Sequence, residues 1–84
     1  MAVRSGPVDR RGSTERGLDG LTPRQGEVLA LVAEGHSNAA IARRLSISEK
    51  AVVRHLSLIY AELHLRPSAD KHRRVLAARC YLTR

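Results

Sequence analysis

From residue 21 onward, apolar residues recur at helical spacing, and the residues between them are of the kinds that start and stop helices. Val28, Leu29, Leu31 and Val32 form one apolar face. Ahead of them stand Thr22, whose hydroxyl can cap a helix, and Pro23, at a first helical position where the missing N–H costs nothing. Gln25 follows Thr22 at the spacing of a capping box. Gly35 is a natural stop. These signals predict a first helix over about 23–34. Gly26 inside it costs about 1 kcal/mol relative to alanine, so this helix depends on packing.

The same grammar repeats three times. Ser37 caps a second helix over about 38–44, with Ile41 and Leu45 pointing inward. Ser46-Ile47 is the break, and Ser48 caps a third helix over about 49–63. Ser68 caps a fourth over about 69–82. Pro67 disfavours helix at Arg66 and so helps separate the last two. Four helices with short connections and no strand-like alternation predict an all-α fold.

Composition narrows the setting. At 84 residues there is room for one domain with one small core. Tyr60 and Tyr81 are the only aromatic residues, so the core must be aliphatic. Lys and Arg outnumber Asp and Glu 15 to 8, a net charge of +7 that favours a polyanionic partner, nucleic acid first and an acidic membrane second. Residues 1–20 carry Gly6, Gly12, Gly17, Gly20 and Pro7 with no apolar period, and are expected to form a disordered tail or linker. Their four arginines stand against Asp9, Glu15 and Asp19, so most of the positive excess falls on residues 21–84, the expected domain. Cys80 is the only cysteine, which rules out an internal disulfide and suits a reducing compartment. No apolar run approaches the roughly eighteen residues of a membrane span, and the N-terminal stretch lacks the apolar block of a signal peptide. The expected setting is cytoplasmic, with no membrane partner.

The third helix has two different sides. At about 100° per residue, Val52, Leu56, Ile59, Tyr60 and Leu63 gather on one side as a core stripe. Lys50, Val53, Arg54, Ser57 and Ala61 gather on the other. Long cations among short side chains are what a major groove admits: donors able to reach guanine O6 and N7, without bulk that holds the backbone away. A solvated face is the plainer explanation of that side alone. The preceding short helix and tight turn favour the groove, because together they make a helix-turn-helix, whose first helix crosses the phosphate backbone while its second enters the groove. The capped N-termini at Thr22 and Ser37-Asn38 add free backbone N–H groups for phosphate oxygens.

The stretch "LTPRQGEVLALVAEGHSNAAIARRLSISEKAVVRHLSLIYAEL", followed by "PSADKHRRVLAARCYL", resembles the LuxR-type helix-turn-helix domain, the effector half of NarL/FixJ response regulators. The ending is similar to a variant common in actinobacterial members. The resemblance covers about residues 21–82. It implies a four-helix domain that binds double-stranded DNA as a homodimer, with the fourth helix contributing to dimerisation and the third reading the major groove. By position it assigns base contacts to Val53, Arg54 and Ser57, with Arg54 foremost. It assigns phosphate contacts to Thr22, Ser37, Asn38, Lys50 and His55. The expected function is that of a sequence-specific DNA-binding effector domain of a transcriptional regulator. The alternative is a protein-interaction module on the same fold. Sigma-factor region 4 shares the opening motif and the helix-turn-helix, but the fourth-helix segment argues against it.

Several positions depart from the family pattern. Ala39 and Ala40 stand where Lys and Glu are common, Ala51 where Thr is, and Val53 where Lys often is. Glu62 replaces a usual basic residue and would repel a phosphate it faced. His64 replaces a helix-ending glycine and would be strained in a left-handed conformation. Together these predict weak binding by the isolated domain.

Other chemistry finds little support. Glu27, near the inward side of the first helix, is expected in a buried ion pair with Arg43 or Arg44. His64, His72 and Cys80 match no zinc spacing, and no metal or cofactor is expected. Cys80 is expected to behave as a small hydrophobe. Ser48, His55 and Asp70 make no triad, since Ser48 is explained as a cap and lacks a glycine-bearing nucleophile turn. No enzyme is expected. Lys71, Arg73 and Arg74 are equally readable as a solvated side of the fourth helix or as a broadening of the positive surface toward DNA.

Overall fold

The computed structural model describes residues 18–67 and 72–84. Four complete helices follow in order among the described residues: α1 (Pro23–Ala33), α2 (Asn38–Leu45), α3 (Glu49–Glu62) and α4 (Arg73–Leu82). No strand occurs among the described residues. The first three spans match the expected ones to within a residue. The fourth starts later than expected. His72, expected inside it, is extended at φ −95° and ψ 121° and acts as an N-cap with no side-chain hydrogen bond. The expected Ser68 cap and the first turn from Ala69 lie outside the described residues, as does the tail over residues 1–17. Of residues 18–20, expected in that tail, Leu18 and Asp19 are helical and Gly20 lies in a turn, and Leu18 packs against the core.

The caps form as the side chains demand. Thr22 Oγ1 accepts from the Gln25 N–H at 3.1 Å, and the Thr22 N–H donates to Gln25 Oε1 at 2.9 Å, completing the capping box. Ser37 Oγ accepts from the Ala40 N–H at 3.1 Å, and Ser48 Oγ from the Ala51 N–H at 3.0 Å. Each satisfies one of the N–H groups a helix start leaves without a partner.

Three helix ends share one geometry. A left-handed residue follows the last turn, and the next N–H reaches back to a carbonyl within that turn. After α1, Gly35 (φ 94°) precedes a His36 N–H to Leu31 C=O bond of 3.1 Å. After α2, Ser46 (φ 57°) precedes an Ile47 to Ala42 bond of 3.0 Å. After α3, His64 (φ 60°) precedes a Leu65 to Tyr60 bond of 2.8 Å. This is the Schellman arrangement, and two of the three left-handed residues carry a Cβ that disfavours it. The expected strain at His64 is present.

Val28, Leu29, Val32, Ile41, Ala42, Val52, Leu56, Ile59 and Ala77 form the buried core. The stripe expected on α3 is the buried one, with Tyr60 and Leu63 packed at its margin. α1 packs on both α3 and α4, and α2 packs on α3. Burying a Leu, Ile or Val side chain contributes about 1.5–3 kcal/mol, so these short helices are held by each other. No helix among the described residues is long and apolar enough to cross a membrane.

Candidate nucleic-acid interface

Because Val52, Leu56 and Ile59 fix one side of α3 in the core, its opposite edge faces outward. Lys50, Val53, Arg54, Ser57 and Ala61 are all exposed along it. Val53 keeps 51% of its surface accessible despite being aliphatic. Leu58, one turn beyond Arg54, is 50% exposed and belongs to the same edge. It was missed as a candidate because an apolar residue in an apolar-periodic helix is first taken for core. Its offset of four positions from Arg54 was the available signal.

The start of α3 is a shallow groove lined by Ser48, Lys50, Ala51, Arg54 and His55. Two cations, a cap hydroxyl and an imidazole thus meet at one helix N-terminus, where the dipole is also positive. His55 sits on the flank between core and edge, half-buried, with Nδ1 enclosed and without a hydrogen-bond partner. Its remaining nitrogen, Nε2, is the one able to meet a ligand. Glu49 supplies the only acid in the first turns of α1, α2 and α3. The N-termini of α1 and α2 are therefore uncompensated and suited to anions.

Thr22 and Ser37 are exposed beside those N-termini, and Asn38 is half-buried. Asn38 is not free as a whole. Arg74 Nη1 donates to Asn38 Oδ1 at 2.7 Å, and Arg74 Nη2 donates to the His36 carbonyl at 2.7 Å. Arg73 stacks on Tyr60, with its guanidinium carbon 4.7 Å from the ring centroid. Both arginines are half-buried and held within the fold, which sets them apart from a simple solvated side of the helix. Lys71 lies outside the described residues.

Two further expectations meet the geometry differently. Glu27 is not in a buried ion pair with Arg43 or Arg44. Its side chain is 58% exposed and pairs with Arg24 at 3.3 Å, one turn back on the same helix, while Arg43 and Arg44 are exposed. Position three along a helix is within easy reach, and burying the pair would cost more than it returns. Glu62 lies at the far end of α3, about 18 Å along the axis from Lys50. Its carboxylate rests against Gly20, where an added Cβ would collide with Glu62 Oε2. The negative charge thus sits on the turn before α1, away from the cationic start of α3. Among the described residues no group of three or more His, Cys, Asp or Glu side chains is placed to hold a metal ion.

Comparison with known proteins places this arrangement. The family model of bacterial regulatory proteins of the luxR family matches residues 19–73. The nitrate/nitrite response regulator protein NarL of Escherichia coli (strain K12) is 41% identical over 60 residues, which are 71% of this chain and 28% of NarL. The Mycobacterium tuberculosis (strain ATCC 25618 / H37Rv) protein named "Putative HTH-type transcriptional regulator Rv0890c" is 48% identical over 50 residues, 60% of this chain and 6% of that protein. This chain thus spans less than a third of the length of either relative. No solved structure matches it significantly. A helix-turn-helix with a cationic, outward-facing second helix and a luxR match that spans α1, α2 and α3 has one assignment: the chain belongs to the luxR family of bacterial regulatory proteins, a family of helix-turn-helix DNA-binding domains.

Proposed function

We propose that this domain binds DNA sequence-specifically as the effector part of a transcriptional regulator, with the exposed edge of α3 in the major groove. The observation that carries the reading is the division of α3: Val52, Leu56 and Ile59 are buried, while Lys50, Val53, Arg54 and Ser57 are exposed. Arg54 supplies a bidentate donor for guanine, Ser57 a short hydroxyl, and Val53 an apolar contact for a thymine methyl. Thr22, Ser37, Asn38, Lys50 and His55 supply phosphate contacts that fix register without reading sequence.

Two copies act together, joined through α4. Val75 and Leu82, two turns apart on that helix, are 55% and 64% exposed, an apolar stripe suited to a second copy of itself. Such a dimer needs half-sites roughly 10 base pairs apart, centre to centre.

Selection of binding sites from random duplex DNA, repeated with Arg54→Ala, tests the proposal. The expected result is a defined half-site for the native chain and, for the variant, a loss of about 1–3 kcal/mol with relaxed preference at one base position. The same site with unchanged affinity would remove Arg54 from the reading edge. The exposed Val53 and Leu58 favour a second reading, a protein-interaction module, which predicts no duplex binding even at low salt.

A further inference from the structure

Arg74 makes a contact that neither the core nor the exposed edge of α3 requires. Its guanidinium leaves the first turn of α4 and bridges two acceptors at the start of α2: Asn38 Oδ1 at 2.7 Å and the His36 carbonyl at 2.7 Å. These partners lie 36 and 38 residues away in sequence. Both bonds are part-buried, which strengthens them and makes each costly to lose.

The chemistry of the pair has a direct consequence. A guanidinium only donates, so it selects the oxygen of the Asn38 amide and leaves Nδ2 as the amide's other end. That end carries two N–H groups and accepts nothing. An asparagine free to turn over presents an acceptor to a phosphate as readily as a donor, and the acceptor repels. Asn38 is also the first residue of α2, whose uncompensated N-terminus already favours an anion. Fixing its amide therefore aligns a side-chain donor with the backbone donors beside it.

We infer that Arg74 is a positioning residue for DNA binding: from α4 it locks the Asn38 amide and the His36–Asn38 turn into the donor orientation that a phosphate requires. This rests on the DNA-binding reading above. Arg74 need not touch DNA, since its effect passes through Asn38. It also ties the phosphate-facing turn to the helix that carries the exposed stripe of Val75 and Leu82.

A double-mutant cycle on the full chain tests the role. The probe is a duplex recovered by selection from random sequence, and affinities are measured below the melting transition of every variant. Arg74→Gln should weaken binding roughly tenfold. In an Asn38→Ala background the same change should cost only about twofold, because the amide is gone and only the bond to the His36 carbonyl remains to be lost. Arg74→Lys keeps the charge but cannot form the planar two-acceptor fork, and should weaken binding nearly as far as Arg74→Gln. Equal losses in both backgrounds would show that Arg74 acts independently of the Asn38 amide, and full affinity with lysine would show that it acts by its charge alone; either result overturns the positioning role. Native affinity for Asn38→Ala would overturn it too, while leaving duplex binding intact. If the native chain itself binds no duplex, the DNA-binding reading fails and takes this role with it.

Discussion

The guanidinium of Arg73 stacks over the ring of Tyr60, 4.7 Å from its centroid, and so fastens the start of α4 to the second half of α3. Tyr60 is half-buried at the margin of the core stripe, on the flank of α3 beside Val53. The contact thus anchors α4 without covering the outward edge. Arg73→Ala should lower stability by about 0.5–1 kcal/mol, the worth of a partly exposed cation–π pair. Urea denaturation checks this, and site preference should be unchanged. A loss of specificity without a loss of stability would instead put Arg73 on the DNA.

The left-handed residues after α2 and α3 hold strain that can be relieved. His64→Gly should raise stability by about 0.5–1 kcal/mol, since glycine adopts φ 60° without a Cβ clash but gives up some unfolded-state entropy. Gly35→Ala, at φ 94°, should lower it by about 1 kcal/mol or more. Thermal melts of the two variants should therefore shift in opposite directions.

Charge neutralisation sets the response to salt. If each subunit neutralises about four phosphates, log affinity should fall against log salt with a slope of about −3.6 per subunit. Lys50→Ala should reduce that slope by about one unit and weaken binding evenly across sequences. Titrations at several salt concentrations read both effects.

The exposed stripe on α4 gives a test of assembly. Replacing Val75 and Leu82 together by glutamate should leave the fold intact, because neither is part of the buried core. Binding to a single half-site should be retained, and the gain in affinity from a second half-site should be lost. Sedimentation on duplexes carrying one or two half-sites distinguishes these species.

What could be read from the chain was local or periodic. Thr22, Ser37 and Ser48 cap their helices through bonds to N–H groups three residues on, so the partner is written beside the donor. The α3 stripe follows from a fixed angle per residue. Contacts set by tertiary packing left no such trace. Arg74 finds Asn38 across 36 residues, and nothing near Arg74 in sequence signals it. Glu27 was placed inward from its angular position, yet a side chain that long at the edge of a helix face turns to solvent and to Arg24. The expected start of α4 follows from a cap at Ser68, whereas the helix begins at Arg73 after an extended His72 with no side-chain cap bond. Leu58 was overlooked because its chemistry suggested the core while its angle placed it beside Arg54.

The central claim is that α3 meets DNA with the edge that its own core contacts leave outside. Backbone amide shifts of the full chain during titration with a selected duplex address it most directly. The largest changes should fall on Lys50, Val53, Arg54 and Ser57, with smaller ones at Ser37 and Asn38. Changes confined to α4, or none at low salt, would contradict the account.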